Sequence, residues 1–529
     1  MRIIFKILLG YFVVCSSLNA QRNVILIIAD DLSPDFFGFY EKHVDTVDVP
    51  NLRALLSRGV RFTNLSSNPV CSSTRSTILT GRYSFRTGVG GIVGGLGGSN
   101  QLDTAEITIP KLLEIYNPNI AKADIGKWHL HLPTPVNRLT YPNRMGYDHF
   151  EGPFIGQLPS YTNWTKYTNG VSSQVTNYAT SENVNNAVNW LKSINSNPFY
   201  LWLAFNAPHE PLHLPPAGLH TYTTLSGTQV SINQDPKIYF KAMIQAMDHE
   251  IGRLFDSLQV MNKFDSTDII FIGDNGSTPR TAQIVDTSHA KGTIYEYGIN
   301  VPMIIAGPSV LNPGRVSNAL VNTADIFATV LELFGNNNWR STINPTIEID
   351  SRSMLPIILN QTNQIRDWTF SEIFKLTTDS SDGKTMRNVD FKLIRFDYGQ
   401  EEFYNLSVDS LETNNLLNGT LNINEQNNYN YLCNELTALV GTGMQCTVSG
   451  NNVLSNKLEV LNVFPNPFNS RINIINQAKD EVFQLYNLIG TVIYSGKDLE
   501  NQDFSNLPKG CYFIKNLNKP NQILKIVKD

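Results

Sequence analysis

A chain of 529 residues is long enough for a large α/β body with one or two further modules, because single domains usually hold on the order of 100 to 250 residues. The formal net charge of −5 is spread along the sequence, and no basic run or aromatic-basic stripe offers a surface for nucleic acid. Beyond the N-terminus, no apolar stretch reaches the roughly 20 residues that a membrane span needs, so a soluble mature protein is expected.

The first twenty residues read as a secretory signal: basic Arg2 and Lys6, an apolar run over 7–14, then small and polar residues ending at Ala20. Cleavage after Ala20 leaves Gln21 first. Cys15 raises the alternative of a lipid anchor, but bulky Val14 precedes it, which argues against lipidation. Four further cysteines, Cys71, Cys433, Cys446 and Cys511, are too few for a disulfide framework. Cys433 and Cys446 are a candidate pair in an oxidising compartment. Cys71 stands apart, in a Ser/Thr cluster with Arg75 four residues on.

Residues 23–29 (NVILIIA) form a continuous apolar run, as expected of a strand buried on both faces, and Asp30 and Asp31 follow at once. Pro50 then opens a helix carrying Leu52, Leu55 and Leu56, and Gly59 stops it. The layout recurs. Residues 199–205 end in Asn206, Pro208 and His209; residues 268–272 end in Asp274 and Asn275; a weaker run over 120–125 leads into Lys127 and His129. A helix with Ile244, Met247, Ile251, Leu254, Phe255 and Leu258 at helical spacing lies between two of these runs, and residues 301–306 form another buried-strand candidate. In open α/β sheets ligands bind beyond the carboxyl ends of the strands, so these polar clusters are expected to converge on one site. After about residue 320 come a helix-like stretch (Ile326, Val330, Leu331, Leu333) and shorter strand-like pieces over 391–396 and 402–406. Residues 414–457, rich in Asn, Ser and Gly, read as a partly structured linker. The last seventy or so residues alternate in short segments broken by Gly, Asn and Pro, which predicts a small all-β module.

Asp30, Asp31, Asp274 and Asn275 are oxygen ligands at the ends of two strands expected to be neighbours. Crowded carboxylates repel unless a cation lies between them, and a set without His or Cys suits a hard ion, Ca²⁺ or Mg²⁺. Taken alone, each pair is more often a turn or a helix cap. His129 and His209 are candidates for proton transfer, because imidazole titrates near neutral pH, although a lone His is more often structural. Lys127, Lys291 and Arg75 are candidates for holding an anion, and each alone reads first as a surface charge.

Cys71-Ser72-Ser73-Thr74-Arg75 followed by Leu79-Thr80-Gly81-Arg82 resembles the signature of the sulfatase family, in which the Cys is oxidised to Cα-formylglycine before the chain folds. Further family blocks occur in the family's order: Ala29-Asp30-Asp31, Gly126-Lys127-Trp128-His129-Leu130, Ala207-Pro208-His209, Gly273-Asp274-Asn275-Gly276, and Lys291-Gly292-Thr293 with Tyr295-Glu296 and Val301-Pro302. The resemblance covers about residues 23–417. It implies that Asp30, Asp31, Asp274 and Asn275 bind Ca²⁺, with Mg²⁺ the lesser candidate, together with the aldehyde hydrate made from Cys71. It further implies that Arg75, Lys127 and Lys291 supply positive potential to nucleophile and sulfate, that His209 protonates the leaving alcohol, and that His129 takes a proton from the second hydroxyl. Two positions depart from the family pattern. Ser73 stands where Pro or Ala is usual, and His131 stands where Gly is usual, its imidazole facing either substrate or solvent.

The implied fold is α/β: an alkaline-phosphatase-like mixed central sheet flanked by helices over 21–330, a smaller C-terminal α+β subdomain over 331–445, a linker over 446–457 and an all-β module over 458–529. The module's Phe464-Pro465-Asn466-Pro467-Phe468, Tyr486-Asn487-Leu488-Ile489-Gly490, Leu507-Pro508-Lys509-Gly510 and Lys525 resemble the C-terminal sorting domain of type IX secretion; an immunoglobulin-like adhesion module is the alternative. The implied partners are a sulfated carbohydrate substrate, a formylglycine-generating maturation enzyme and the type IX secretion machinery, with the protein secreted or at the cell surface. Two rivals stay open: a phosphodiesterase or phosphonate monoester hydrolase of the same superfamily, and a surface glycan-binding protein whose Cys71 is never converted.

Overall fold

The computed structural model describes residues 22–441, 462–475, 481–487, 490–518 and 523–529. The signal-peptide reading of residues 1–20, the 446–457 linker and the Cys446 end of the proposed cysteine pair fall outside these residues. The chain divides into two compact units between Thr447 and Val448.

The first unit is built on a ten-stranded mixed sheet. Its strands are β1 (Asn23–Ala29), β2 (Gly59–Ser66), β3 (Ala121–Gly126), β4 (His149–Gly152), β5 (Trp164–Thr168), β6 (Val171–Val175), β7 (Phe199–Ala204), β8 (Thr267–Gly273), β9 (Met303–Ala306) and β10 (Arg315–Asn322), in the order β10-β2-β9-β8-β1-β7-β3-β4-β5-β6. β1 lies parallel between β7 and β8, which is why its seven residues are all buried and almost all apolar. Alternate side chains enter opposite layers. Val24, Leu26 and Ile28 pack with the helices Cys71–Thr80, Ile109–Tyr116 and Asp325–Leu333; Ile25, Ile27 and Ala29 pack with Pro50–Leu56, Ala179–Ser193 and Pro236–Val260.

β2 and β10 are not anticipated by the sequence. Gly59, read as a helix stop, also opens β2, where a Cβ would lie 2.6 Å from the Ile305 carbonyl oxygen. β2 is short of a clean alternation because Arg61, Thr63 and Asn64 are only partly covered on this outer part of the sheet.

A second, antiparallel sheet follows in the same unit: β11 (Thr369–Ile373), β12 (Gly383–Arg387), β13 (Phe391–Phe396) and β14 (Glu401–Asn405). The helix Ile423–Val440 packs on it through Tyr429, Leu432 and Leu436, beside Phe391, Leu393 and Phe403. This corrects the reading of residues 414–457 as a partly structured linker over their described part, where Ile423–Val440 is a packed helix. The abundant Asn residues occupy the cap and the solvent side, while the buried residues recur at helical spacing. The Asn422 side chain accepts from the N–H groups of Asn424 and Glu425, and Glu425 accepts from the Asn422 N–H, so a capping box closes the helix start.

The second unit holds two antiparallel sheets: β15 (Asn462–Phe464) with β16 (Asn473–Ile475), and β17 (Phe483–Asn487), β18 (Val492–Gly496), β19 (Gly510–Asn516) and β20 (Ile523–Lys528) in the order β18-β17-β19-β20. Phe468, Ile472, Phe483, Leu485, Phe504, Ile514 and Ile526 make its core. Among the described residues, no helix is long and apolar enough to cross a membrane.

Replacing Asn422 with Ala removes the acceptor of the capping box and should cost about 1 kcal/mol. Equilibrium denaturation of the first unit should read that loss; an unchanged midpoint would mean that the helix is held by its packing alone.

Candidate active site

The carboxyl ends of the central strands lie along one edge, and each carries polar residues. Asp30 and Asp31 leave β1, Asp274 and Asn275 leave β8, Lys127 and His129 leave β3, and His209 follows β7 by a short turn. Cys71 follows β2 and is the first residue of the helix Cys71–Thr80, all of it buried. Hydrogen bonding of β1 to β7 and β8, and of β7 to β3, brings these ends together. All ten residues expected at a site meet there, including Lys291.

Their contacts pair opposite charges. Lys127 Nζ lies 2.5 Å from Asp30 Oδ2, and Lys291 Nζ lies 2.5 Å from Asp31 Oδ1. Arg75 donates Nε–H and Nη2–H to Asp274 Oδ2 at 3.1 and 2.8 Å, and Nη1–H to the Lys127 carbonyl oxygen at 2.7 Å. Asn275 Nδ2–H donates to Asp31 Oδ1 at 2.8 Å, and the Asp31 N–H donates to Asp274 Oδ1 at 3.1 Å. Asp30, Asp31, Arg75, Lys127, Asp274 and Asn275 have no exposure. Burial raises the Asp31 carboxyl, but Lys291, His209 and Lys127 outweigh it and hold the group at about 2. Burial, with Asp274 and Asp31 nearby, pushes Asp30 well above the usual carboxylate range against the pull of Lys127.

Carbonyl oxygens only accept, which fixes the histidine tautomers. His129 Nε2–H donates to the Val93 carbonyl at 3.1 Å, leaving its Nδ1 lone pair 3.1 Å from Cys71 Sγ. His209 Nδ1–H donates to the Glu210 carbonyl at 2.8 Å, leaving Nε2 facing Asp31 Oδ2 at 3.5 Å. Burial, joined by Lys127 and Arg75, lowers His129 well below its ordinary value; burial lowers His209 to about 3, against the opposing pull of Asp31. Both rings are therefore neutral near pH 7.

The cluster also has room for a cation. Asp30 Oδ1, Asp31 Oδ2 and Asn275 Oδ1 are buried without a hydrogen-bond partner, and ligand atoms of Asp30, Asp31 and His209 all lie within 4.8 Å of one another. A neutral His209 and an ionised Asp31 turn lone pairs toward each other. Buried acceptors left in this way carry a penalty of about 1–3 kcal/mol each that a bound cation removes.

Backbone geometry is specialised at the same edge. Asp31 (φ 66°) and His129 (φ 54°) occupy the left-handed region, which non-glycine residues adopt rarely and at a cost. Gly126 (φ 106°), just before Lys127, lies so close to β7 that a Cβ would fall 1.9 Å from the Ala204 carbonyl oxygen. Only glycine allows β3 to end there.

Three features had no signal or were misread. Val93, whose side chain offers nothing chemical, acts through its main chain: its carbonyl orients His129 and its N–H donates to Ser72 Oγ at 3.1 Å. The glycine-rich loop around it is fastened to the segment after β11 by bonds from the N–H groups of Phe374, Leu376 and Thr377 to the carbonyls of Gly90, Gly98 and Gly97, while Leu96 is 98% exposed. Asn206 is buried with both side-chain amide atoms unpartnered, and its sequence signal is only its place between the 199–205 run and Ala207-Pro208-His209. His131 meets neither substrate nor solvent. It is 1% exposed, donates Nε2–H to the Leu102 carbonyl at 2.6 Å and accepts from Trp128 Nε1–H at 3.0 Å. The other departing residue, Ser73, is also buried and donates to the Val70 carbonyl.

The sulfatase family profile matches residues 22–336. The chain belongs to the sulfatase family. The C-terminal profile of N-sulphoglucosamine sulphohydrolase matches residues 287–439, and a secretion-system C-terminal sorting domain matches 462–529. Arylsulfatase J of Mus musculus is 27% identical over 336 residues, covering 60% of this chain and 53% of its own. N-acetylgalactosamine-6-sulfatase of Homo sapiens is 26% identical over 378 residues, covering 64% and 66%. The chain thus spans between half and two thirds of these curated relatives. The fold is shared with Ps i-CgsB, solved in complex with k-i-k-neocarrahexaose (TM-score 0.66, 23% identity, 81% of this chain and 94% of that one). It is also shared with a protein solved with its substrate D-glucosamine-2-N,6-O-disulfate (TM-score 0.61, 20% identity, 79% and 98%).

In this sulfatase His131→Leu should strip partners from the Trp128 N–H and the Leu102 carbonyl, costing about 1–3 kcal/mol for each buried group left unpaired. Chemical denaturation should show the loss. An unchanged midpoint would mean that water reaches both groups.

Proposed function

We propose that the protein is an exported hydrolase of sulfate esters, acting on sulfated carbohydrate through a formylglycine made from Cys71 and a bound Ca²⁺. The observation that carries this reading is the meeting of Cys71 and His129 with orphaned oxygens of Asp30, Asp31 and Asn275 at one strand edge. Asp30, Asp31, Asp274 and Asn275 are the residues that would hold the ion, and the all-oxygen set favours Ca²⁺. When bound, the ion lowers the energy of negative charge on a nearby nucleophilic oxygen.

The remaining chemistry belongs to side chains. Cys71 Sγ marks the place of the hydrate oxygens once the residue is converted. Converted in this way, Cys71 would supply the oxygen nucleophile for sulfur, the alcohol oxygen leaving with the bonding pair. Lys127 and Lys291 face the charge that gathers on the sulfate oxygens. His209 donates the proton to the departing alcohol. It is neutral in the free site, so it acts as an acid only after the anionic ester draws a proton onto Nε2. His129, with Nδ1 free as an acceptor 3.1 Å from Cys71 Sγ, is placed to take a hydroxyl proton from the converted residue, which would let that residue release sulfate.

Sulfated saccharides are favoured as substrates because two solved proteins of this fold carry carbohydrate ligands, one of them a disulfated glucosamine. The domain limits 21–330, 331–445 and 458–529 remain the working division of labour, with the sorting-domain match supporting passage through type IX secretion to the cell surface. The buried Cys71 supports conversion by a maturation enzyme acting before folding.

Mass spectrometry of the Cys71 peptide, read beside sulfate release, should show activity rising in proportion to the aldehyde fraction, with Cys71→Ala inactive. Equal activity in preparations holding only free thiol, or a clear preference for the phosphate ester of the same alcohol, would overturn the reading. His209→Ala should slow esters of basic alcohols about 100-fold or more, while activated aryl sulfates lose far less. A uniform loss across leaving groups would make His209 a sulfate-binding residue instead.

A further inference from the structure

β7 ends at Ala204, so the sheet no longer dictates where His209 lies, five residues further on. The chain between them is held instead by a tyrosine that the mechanism above does not use. Tyr161, in the segment between β4 and β5, places its hydroxyl 2.7 Å from the Asn206 carbonyl oxygen and 2.7 Å from the His209 carbonyl oxygen. These two carbonyls belong to the ends of one turn, closed by the His209 N–H donating to the Asn206 carbonyl at 2.9 Å. Within the turn the Ala207 carbonyl accepts from the Asp30 N–H at 3.1 Å, which ties it to the end of β1.

A phenol has one hydrogen to donate, and two carbonyls at equal distance must share it. Such a bond is sensitive to the spacing of its acceptors, so it gauges the width of the turn. The Asn206 carbonyl already accepts from His209, so the need to satisfy a buried carbonyl accounts for only one of the two contacts. Tyr161 is itself held from outside the turn. It is 3% exposed, its carbonyl accepts from the Ala179 N–H at 2.8 Å where the helix Ala179–Ser193 begins, and its ring lies 4.3 Å from that of His213. His213 is fixed in turn: Nδ1–H donates to the Pro211 carbonyl at 2.8 Å, and Nε2 accepts from the Tyr178 hydroxyl at 3.1 Å. The His209 ring depends on the same main chain, because its Nδ1–H donates to the Glu210 carbonyl, one peptide past the carbonyl that Tyr161 holds. A shift of that peptide turns the ring and displaces Nε2 from its place 3.5 Å from Asp31 Oδ2.

We propose that Tyr161 is a positioning residue for His209: its hydroxyl, shared between the Asn206 and His209 carbonyls, fixes the turn so that His209 Nε2 meets the departing alcohol oxygen. The rigidity of a packed helix is thereby passed to a residue that lies beyond the sheet. The hydroxyl acts through main-chain atoms and takes no part in proton transfer. The inference rests on the reading of His209 as the acid of the reaction.

Tyr161→Phe keeps the ring against His213 and removes only the hydroxyl. In the full chain it should slow sulfate release from esters of basic alcohols about tenfold, a part of what a well-placed acid contributes, and leave activated aryl sulfates nearly unchanged. In a His209→Ala background the same substitution should change neither rate. Tyr178→Phe, which removes a hydroxyl from the same aromatic group but none from the turn, should leave both ester classes as in the wild type. A second readout needs no turnover. The His209 Nδ1–H, identified by its loss in His209→Ala, should give a downfield proton NMR signal that shifts or broadens in Tyr161→Phe and stays in place in Tyr178→Phe. An equal loss on both ester classes, a loss that persists in the His209→Ala background, or an unmoved signal would overturn the proposal. So would a Tyr161→Phe chain that does not fold, because the hydroxyl would then serve the fold alone. If His209→Ala by itself slows both ester classes equally, the reading of His209 as the acid fails, while the NMR signal and the double variant still judge the link between Tyr161 and His209.

Discussion

Charge neutrality in a buried space is the constraint on which this structure turns. Asp30, Asp31 and Asp274 are fully buried, and Lys127, Lys291 and Arg75 each reach one of them. Removing one partner of a buried pair costs about 3–5 kcal/mol, because the other charge stays behind in a poor solvent. No member of the set can move without exposing another. The strained backbones of Asp31 and His129, and the glycine that lets β3 end against β7, are tolerated because this network determines where each strand must stop.

The sheet turns that local demand into architecture. A strand buried on both faces has no polar side chains to spare along its length, so chemistry is confined to its ends. β1, β7, β8 and β3 all end at one edge, and six separate segments contribute to a single cluster. The smaller sheet joins through the loop around Val93, so the orientation of His129 depends on backbone bonds made near residue 374.

The parts most legible in the sequence were those with a strict physical pattern. β1, β7 and β8 are apolar runs followed by polar residues, acids after β1 and β8, and the convergence of Asp30, Asp31, Asp274 and Asn275 follows from that layout. β2 and β10 were illegible because outer strands tolerate polar residues such as Arg61 and Asn64, which blur the alternation. The helix Ile423–Val440 was hidden by composition: Asn suggests turns, yet here it caps the helix and covers its solvent side while Tyr429, Leu432 and Leu436 carry the packing. His131 could not be placed because burial, which is a property of the fold, separates a substrate contact from a core hydrogen bond. Val93 left no trace at all, since its contribution is made by main-chain atoms that every residue possesses.

The glycine-rich loop shows how such a site can change its preferences without losing its chemistry. Its feet at Gly90 and at Gly97–Gly98 are tied down, and Val93 is fixed between Ser72 and His129. What lies between Val93 and the second foot is a tight turn, with the Gly95 N–H bonded to the Ile92 carbonyl and Leu96 standing free. Substitution or lengthening at that turn alters the surface beside the site while every catalytic contact keeps its anchor. The dial here is Leu96: Gly94, with φ 77°, and Gly95 would set a Cβ 2.8 and 2.7 Å from Leu132 and Ile92, so they belong to the frame that variation must leave alone.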